Sequence, residues 1–292
     1  MSMSIPRIRF VIPYFGRWPF WMPFFLETCR YNPDIDWLFF SDCGEPVGLP
    51  SNVQIRSCSF DEYCRLVSAR LCIDFRPENP YKLCDIKPAL GYIHAEELGD
   101  FDFWGFSDID LIYGNLRDYF TTQRLERFDL LSTHERRISG HLCLMRNTVK
   151  MRELFMVVPG WREKFSSQEH LAFDEAAYAR LFIRRKNWPR PLRRFADLFN
   201  PLRRRSEFTE AFSTPDARIA WHDGKPGFPE RWNWRKGQLV NDRDGAREFP
   251  YFHFITWKSK VWPALPLEQL LPDTKILEHE EWSVTADGFR SI

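Results

Sequence analysis

The sequence predicts an α/β protein with a Rossmann-like, mostly parallel central sheet that carries helices on both faces, followed by an irregular C-terminal lobe. In the N-terminal part, apolar segments typical of strands alternate with segments of helical length, as in parallel sheets with crossover helices. The chain has 292 residues, of which 44% are hydrophobic and 16% aromatic. A chain of this size can bury one large core, or one core with a smaller appended lobe.

The first predicted strand covers residues 8–12 and ends at Pro13, which leaves Tyr14 in a loop at its carboxyl end. The next predicted elements are a helix at 18–30, strands at 36–40 and 53–56, helices at 60–71 and 81–98, and a strand at 101–107. Ligands of such sheets gather outside the carboxyl ends of the strands. We therefore expect Tyr14, Asp42 and Asp108 to lie at one edge.

The second half is less regular. Short strands are predicted at 128–132 and 141–145, helices at 151–158 and 171–183, and a last strand at 251–255. Residues 187–243 are rich in Pro, Arg and Trp with little periodicity, and their four tryptophans favour an ordered lobe over a solvated tail. The predicted units are a nucleotide-binding and catalytic core at 1–186, an acceptor- or membrane-facing lobe at 187–249 and a return to the core at 250–292.

Two carboxylates follow the aromatic strand at 101–107. Asp108 and Asp110 offer hard oxygen ligands of the kind that Mg²⁺ or Mn²⁺ prefers, and such a cation keeps positions open for a diphosphate. This is the chemistry of a nucleotide-sugar transferase. Two Asp after a strand also open turns or cap helices, so the motif alone leaves both interpretations open.

A third metal ligand is expected from His253 on the late strand. Lys258 and Lys260 follow closely enough to reach a diphosphate and stabilise the leaving group. The alternative is that His253 is a core histidine, since Phe252 and Phe254 flank it.

Charged residues open the helix predicted at 81–98. Lys82, Asp85 and Lys87 lie near its N-terminus, where backbone N–H groups favour anions, so a nucleotide phosphate or ribose is expected there. An ordinary charged first turn is the alternative. The complete predicted nucleotide-binding set is Pro13, Tyr14, Phe15, Asp42, Lys82, Asp85, Lys87, Asp108 and Lys258.

Two short segments are assigned to the acceptor and catalysis. Ser139, Gly140 and His141 precede a strand and are expected to edge a sugar pocket, with His141 among the catalytic candidates. Asp174 and Glu175 begin a helix and offer a general base for an acceptor hydroxyl. Acidic residues in a first helical turn also occur for dipole reasons alone.

A basic segment covers residues 180–205. Its cationic residues, set against the single acid Asp197, are Arg180, Arg184, Arg185, Lys186, Arg190, Arg193, Arg194, Arg203, Arg204 and Arg205. Interleaved Leu, Phe and Trp suit peripheral contact with an anionic membrane; a solvated basic face ranks second, and no nucleic-acid motif accompanies the charge.

The compartment is predicted from the N-terminus and the cysteines. The first residues lack the apolar core of a signal peptide, and the seven Cys are odd in number and form no Cys-x-x-Cys pair. A cytoplasmic protein is expected, peripheral at the inner face of the plasma membrane if the basic segment contacts lipid.

Several blocks of the sequence match a known pattern. The two longest are residues 81–93 and 103–117. Shorter blocks are residues 10–16, Gly140-His141 with Arg146-Asn147, residues 173–175 and residues 252–254. In these blocks the sequence resembles a bacterial family of uncharacterised glycosyltransferase-like proteins from polysaccharide-biosynthesis loci.

That family is similar to metal-dependent glycosyltransferases of the GT-A fold. The resemblance implies a GT-A-like core in which Asp108 lies near the ribose and metal, Asp110 coordinates the metal and His253 is its distal ligand. Some GT-A families place a Gly and a Lys-Pro-Trp after this His, whereas here Thr256-Trp257-Lys258-Ser259 follows. The resemblance therefore leaves open which lysine contacts the diphosphate.

The expected function is transfer of a sugar from a nucleotide-diphosphate donor to a glycan or lipid-linked acceptor in surface polysaccharide synthesis, with Mn²⁺ or Mg²⁺ as Lewis acid. One alternative is a non-catalytic nucleotide- or glycan-binding member of an assembly complex. Another is a metal-dependent phosphoesterase.

Overall fold

A computed structural model describes residues 5–183, 188–211, 221, 224, 227–270 and 274–292, and it confirms the α/β class. The strands are β1 Ile8–Pro13, β2 Ile35–Ser41, β3 Val53–Ser57, β4 Phe103–Ser107, β5 Leu111–Tyr113, β6 Leu130–Ser132, β7 Leu142–Arg146, β8 Ser206–Phe208, β9 Arg231–Arg235, β10 Gln238–Asn241, β11 Tyr251–His253, β12 Glu281–Thr285 and β13 Gly288–Arg290.

The α-helices are short apart from three of them. They are α1 Met22–Arg30, α2 Phe60–Leu71, α3 Leu90–Ile93, α4 Leu116–Tyr119, α5 Thr122–Arg127, α6 Val149–Glu153, α7 Trp161–Ser166, α8 Ala179–Phe182, α9 Arg190–Leu198, α10 Pro201–Arg204 and α11 Leu267–Leu270. Segments of 3₁₀-helix lie at Pro80–Ala89, Leu154–Val157, Trp262–Ala264 and Thr274–His279, and π-helical segments at Asp174–Tyr178 and Trp257–Val261.

A central sheet has the strand order β3-β2-β1-β4-β7-β6-β8. All neighbours pair in parallel except at β7, which runs antiparallel to both β4 and β6. The chain order reverses between β1 and β4, since β1 pairs with β2 on one side and β4 on the other. Such switch points form crevices at the carboxyl ends of the strands.

Alternating side chains of the central strands face two helical layers. Val11 points into a core shared with α2, α3 and α8, whereas its neighbour Phe10 packs in a second core with α1 and α4. Successive strand residues point to opposite faces, so this arrangement places helices on both sides of the sheet, as predicted.

The structure corrects the prediction of an irregular lobe. Within 187–249 it shows α9, α10 and three strands, of which β8 extends the central sheet and β9 and β10 belong to a second sheet of order β10-β9-β12-β13. In β9 the buried Trp232 and Trp234 alternate with more exposed polar residues, which is the period of a half-buried strand. The division of the chain into three units stays a prediction.

The second sheet packs through aromatic rings. Trp234 stacks on Trp282 at 5.0 Å between ring centroids, and Trp232 stacks on Phe252 of β11 at 4.6 Å. Phe24 of α1 stacks on Phe289 of β13 at 3.9 Å. These contacts fasten β11, which carries His253, and the second sheet to the α1 side of the central sheet.

One predicted helix matches the structure in its bounds, and another does not. Helix α2 has the predicted bounds because Ser59 and Glu62 form a capping box at its start. The single helix predicted at 81–98 is wrong: residues 80–89 form a 3₁₀-helix and α3 ends at Ile93. Pro88 lies within this stretch, and proline removes an i→i−4 hydrogen bond and crowds the preceding turn.

The remaining predicted elements differ mainly in their ends. The helix at 171–183 is a π-helical segment followed by α8, and the strand at 251–255 stops at His253. Among the described helices, none combines the length and the apolar character needed to cross a membrane. Of the predicted basic segment, Arg184, Arg185 and Lys186 lie outside the described residues.

Candidate active site

A cavity of about 440 Å³ opens at the carboxyl ends of β1 and β4, where the chain order reverses. Eleven of the fourteen predicted site residues line it: Pro13, Tyr14, Phe15, Lys87, Asp108, Asp110, His141, Asp174, Glu175, His253 and Lys258. The fold therefore places most of the predicted site residues around one cavity.

The short ladder between β5 and β11 positions two of the predicted metal ligands. His253 pairs with Leu111, and the Phe254 N–H donates to the Asp110 carbonyl at 3.3 Å. Asp108 is fixed from the other side, since its N–H donates to the His141 carbonyl at 2.9 Å. One ligand atom of each of Asp108, Asp110 and His253 lies within 4.8 Å of the other two.

Two lysines neutralise these carboxylates. Lys87 Nζ donates to Asp108 Oδ1 at 2.5 Å and to the Gly140 carbonyl at 2.7 Å, while Lys258 Nζ lies 2.6 Å from Asp110 Oδ2. Burial acts to raise the pKa of Asp110, but its interactions with His253 and Lys258 together outweigh burial and hold that pKa well below its ordinary value. Asp110 is thus ionised despite its burial.

The pKa values of the two lysines shift upward, opposite to the shift of Asp110. Burial is the largest single effect on the pKa of Lys87 and lowers it, but the attraction and hydrogen bond to Asp108, together with nearby Cys84 and Asp174, outweigh burial and raise the pKa. The pKa of Lys258 is raised in the same way: burial is the largest single effect and lowers it, but the interactions with Asp110 and Asp108 together outweigh burial. Both side chains are therefore cations at neutral pH, suited to a diphosphate.

The donor set fits a divalent cation. Both ring nitrogens of His253 are buried and have no hydrogen-bond partner among the residues that the structure describes; the 3.3 Å approach of Nε2 to Asp110 Oδ2 lacks hydrogen-bond geometry. An unsatisfied buried imidazole is costly, and a bound cation would use one of these nitrogens. Two carboxylates and one imidazole suit Mn²⁺ or Mg²⁺.

His141 lies behind the predicted metal ligands. Its ring stacks on His253 with centroids 4.3 Å apart, and its Nε2 is 2.7 Å from the Tyr251 hydroxyl and 3.0 Å from Ser139 Oγ. Burial lowers the pKa of His141 well below its ordinary value, so the ring is neutral. These contacts hold the His253 ring in place.

Asp174 and Glu175 approach the cavity beside Gly140. A Cβ on Gly140 would meet Asp174 Oδ2 at 2.9 Å and Glu175 Oε1 at 3.2 Å, so a glycine is needed there for both carboxylates to fit as they do. Burial raises the pKa of Asp174 to about 7. Glu175 is more exposed and pairs with Arg137 at 3.1 Å. A carboxylate that titrates near neutral pH is suited to general base catalysis.

The structure does not bring three predicted residues into the cavity. Asp42 accepts a hydrogen bond from the Gly16 N–H at 2.8 Å and so fastens the loop after β1. Lys82 is buried, and its Nζ donates to Asp85 Oδ2 at 2.8 Å and to the carbonyls of Lys164 and Glu169.

Asp85 in turn organises the chain before the π-helical segment at 174–178. Its two oxygens accept from the Leu171 and Phe173 N–H groups, each at 2.9 Å. Lys82 and Asp85 therefore anchor the loop that leads to Asp174. Lys260 is exposed and is also absent from the cavity wall.

Sequence reasoning missed several residues of the cavity wall. Tyr81 and His170 meet edge to face there, with centroids 4.6 Å apart, and the half-buried Cys84 lines the same wall. His170 lies four residues before Asp174 but outside any regular element, so no helical or strand pattern points to it. Tyr81 begins the segment that carries Lys82, Asp85 and Lys87, and its aromatic ring is the one local signal for it.

The fold and the site together define an α/β protein with two carboxylates, an imidazole and two lysines at the carboxyl edge of its parallel strands. The chain belongs to a family of unknown function, DUF6625, whose family model matches residues 10–265. No curated protein matches the sequence.

Several solved glycosyltransferase structures are similar to the chain. An active-site mutant of LgtC is 10% identical with a TM-score of 0.40, over 74% of this chain and 75% of that one. The galactosyltransferase LgtC with donor and acceptor sugar analogues is 13% identical with a TM-score of 0.36, over 64% and 81%. Mouse xyloside xylosyltransferase 1 is 8% identical with a TM-score of 0.38, over 72% and 87%.

Proposed function

We propose that the protein is a glycosyltransferase that moves a sugar from a nucleotide-diphosphate donor to a hydroxyl of a glycan or a lipid-linked saccharide. The observation that carries the proposal is the meeting, in one cavity, of the Asp108–Asp110–His253 cluster, two cationic lysines and a carboxylate whose pKa lies near neutral pH. The sequence resemblance to glycosyltransferase-like proteins of bacterial polysaccharide loci supports the substrate class.

The nucleotide is assigned to the wall formed by residues after β1 and β4. Pro13, Tyr14 and Phe15 line this wall, and Tyr14 is held by a stack on Trp18 with centroids 5.3 Å apart. The diphosphate is placed by the ammonium groups of Lys87 and Lys258, which reach the same part of the cavity as Asp108 and Asp110.

A divalent cation bound by Asp108, Asp110 and His253, either Mn²⁺ or Mg²⁺, would supply Lewis-acid stabilisation of the departing diphosphate. His141 keeps the His253 ring oriented through their stack and is in turn held by Tyr251 and Ser139. We assign His141 this positioning role.

In the transfer, the bond between the anomeric carbon and the diphosphate oxygen breaks, and the diphosphate keeps the electron pair. The acceptor hydroxyl oxygen forms the new bond to that carbon. If the configuration inverts, the hydroxyl proton passes to Asp174 or Glu175. Asp174 is the better base because its raised pKa lets it hold a proton near pH 7. A retaining transfer needs no such base.

We also propose that the chain contacts an anionic membrane surface through α9, on the cytoplasmic face, where a lipid-linked acceptor would be presented. Four apolar side chains of α9 and its C-cap residue are more than half exposed: Leu192, Phe195, Leu198 and Phe199. They lie within the Arg-rich segment at 180–205, and basic residues beside exposed apolar ones suit anionic lipid headgroups.

Cosedimentation tests the membrane contact. Phosphatidylglycerol vesicles are expected to retain the wild type, whereas phosphatidylcholine vesicles are not. The double variant Phe195→Ser/Phe199→Ser is expected to stay in the supernatant with both. Equal retention of this variant on the anionic vesicles would contradict the assignment to α9.

The transfer itself is tested by incubating the protein with Mn²⁺ and UDP-, GDP-, CDP- and dTDP-linked sugars, and measuring release of nucleoside diphosphate. We expect release from one donor class, lost in Asp110→Asn. Binding of a nucleotide without release would instead support a non-catalytic binding protein. Release of inorganic phosphate from a simple phosphate ester would support a phosphoesterase.

A further inference from the structure

The two ammonium groups at the site differ in how firmly they are held. Lys87 Nζ has two partners, Asp108 Oδ1 and the Gly140 carbonyl, and its side chain is 11% exposed. Lys258 Nζ has the Asp110 carboxylate as its ion-pair partner among the described residues, and its side chain is 36% exposed. Lys258 is therefore the less firmly held of the two, and it can leave buried Asp110 when another cation takes its place there.

Lys258 also contacts the carboxylate oxygen that lies closest to His253. Asp110 Oδ2 is 2.6 Å from Lys258 Nζ and 3.3 Å from His253 Nε2. A divalent cation on Asp110 would lie about 2.0–2.6 Å from the oxygen it uses. If that oxygen is Oδ2, the cation and the ammonium would be at most about 5 Å apart, where two positive charges in a largely buried site repel strongly.

We propose that Lys258 and a divalent cation compete for Asp110. When the cation binds, the Lys258 side chain moves and its ammonium group pairs with the nucleotide diphosphate instead. This proposal rests on the proposed function, because it assumes that a nucleotide diphosphate binds at this site. Its consequence is cooperative binding: the cation releases Lys258 for the diphosphate, and the diphosphate draws Lys258 away from Asp110.

The coupling must be reciprocal. If the nucleoside diphosphate raises the affinity for the cation by some factor, the cation raises the affinity for the nucleotide by the same factor. Part of this coupling is expected in any site where a cation bridges to a diphosphate. The part contributed by Lys258 is the part that a change at this residue removes.

The variant Lys258→Met isolates that contribution, because methionine keeps much of the apolar stem and lacks the charge. We expect it to bind Mn²⁺ alone about tenfold more tightly than the wild type, since the competing cation is gone. We expect the same variant to bind the nucleoside diphosphate more weakly, and to lose about tenfold of the coupling.

Lys260→Met is the matched control. Lys260 lies two positions further along the same π-helical segment, is exposed and does not line the cavity. It removes one positive charge from the same region, so any general effect of net charge on Mn²⁺ affinity appears in both variants. Lys258→Arg, which keeps a cation at the position, is expected to restore weak binding of Mn²⁺ alone.

The experiment is a calorimetric titration of Mn²⁺ into the wild type and the three variants, alone and with saturating nucleoside diphosphate chosen from UDP, GDP, CDP and dTDP. Tighter binding of Mn²⁺ alone to Lys258→Met, with Lys260→Met like the wild type, is the expected result. Equal Mn²⁺ affinity of Lys258→Met and the wild type would overturn the competition.

The outcomes also separate this inference from the function on which it rests. If the wild type binds none of the four nucleotides with Mn²⁺ present, the proposed function fails and the inference fails with it. If the wild type binds one nucleotide in a Mn²⁺-dependent way, but Lys258→Met changes neither Mn²⁺ affinity nor coupling, the inference alone fails.

Discussion

His253 Nε2 lies 3.3 Å from Asp110 Oδ2, and the pairing of β5 with β11 holds the two side chains in that position. The strands are only three residues long and come from distant parts of the chain. The pair lies between the carboxyl edge of the central sheet and the aromatic second sheet. Its position depends on the whole fold.

Replacement of His253 by leucine is expected to weaken metal binding without unfolding the protein. The buried ring nitrogens have no hydrogen-bond partner among the described residues, so an apolar side chain of similar volume costs little and can stabilise. We expect Mn²⁺ affinity to fall at least about tenfold, while the Tm stays level or rises. His279→Leu, at an exposed position, is the control. A Tm several degrees lower in His253→Leu would show that the ring is a structural core residue.

Asp174 is expected to set the pH dependence of an inverting transfer. Its pKa is raised from 3.8 to about 7 by burial, so the carboxylate needed as base forms as the pH rises through about 7. The rate should rise with pH over that range in the wild type and be low and flat in Asp174→Asn. Glu175→Gln is the control, and its profile should keep the wild-type shape. A normal profile in Asp174→Asn would contradict this assignment.

The same pKa shift predicts a trend in stability. A raised pKa means that the folded state binds the proton more tightly, so this contribution is complete below pH 3.8 and is lost as the pH rises through about 7. The full shift corresponds to on the order of 4 kcal/mol. Urea unfolding should therefore show that Asp174→Asn gains stability relative to the wild type from pH 5 to pH 8. A constant difference would argue against a raised pKa.

Gly140 is expected to be needed for the placement of the acidic pair. A methyl group there would meet Asp174 Oδ2 at 2.9 Å, closer than real Cβ contacts, so Asp174 must shift. We expect Gly140→Ala to lower turnover roughly 10- to 100-fold, the range for misplaced catalytic groups, with nucleotide affinity nearly unchanged. Gly99→Ala is the matched control, since its new Cβ meets Glu96 O at an ordinary 3.5 Å. Equal turnover in the two variants would contradict this account.

Lys82 is expected to act on stability. Its Nζ is fully buried against Asp85, and Lys82→Met would leave that carboxylate without its cation. Removing one partner of a buried pair costs about 3–5 kcal/mol. Chemical unfolding should show this loss, and Lys150→Met at an exposed position of α6 should not. A Lys82→Met protein that is as stable as the wild type but binds nucleotide poorly would restore the direct binding role predicted from the sequence.

The sequence was most informative where chemistry and secondary structure coincided. Asp108 and Asp110 could be assigned because a long aromatic strand ends there, and His253 because a late apolar strand carries it. Local patterns could not separate Lys87 from Lys82. Both lie in the same 3₁₀-helix, but five residues apart and therefore on different faces, and only the folded chain shows that Lys87 faces the cavity and Lys82 the interior.

Prediction of the fold from the sequence had similar limits. The parallel core was predictable from alternating strands and helices, and α2 has the predicted bounds, with a capping box at its start. The second sheet was missed because the composition of residues 187–243 concealed the period of two in β9, where Trp232 and Trp234 are buried between exposed arginines. The pairing of β9 with β12 joins distant parts of the chain, so no local signal marks it.

The central claim is that Asp108, Asp110 and His253 hold a divalent cation that seats a nucleotide diphosphate. Titration calorimetry of UDP, GDP, CDP and dTDP, with and without Mn²⁺, against the wild type, Asp110→Asn and the exposed control Asp287→Asn tests it most directly. We predict that one nucleotide binds the wild type and Asp287→Asn only with Mn²⁺, and that Asp110→Asn does not bind it. Failure of all four nucleotides to bind, or binding that needs neither Mn²⁺ nor the Asp110 carboxylate, would contradict the claim.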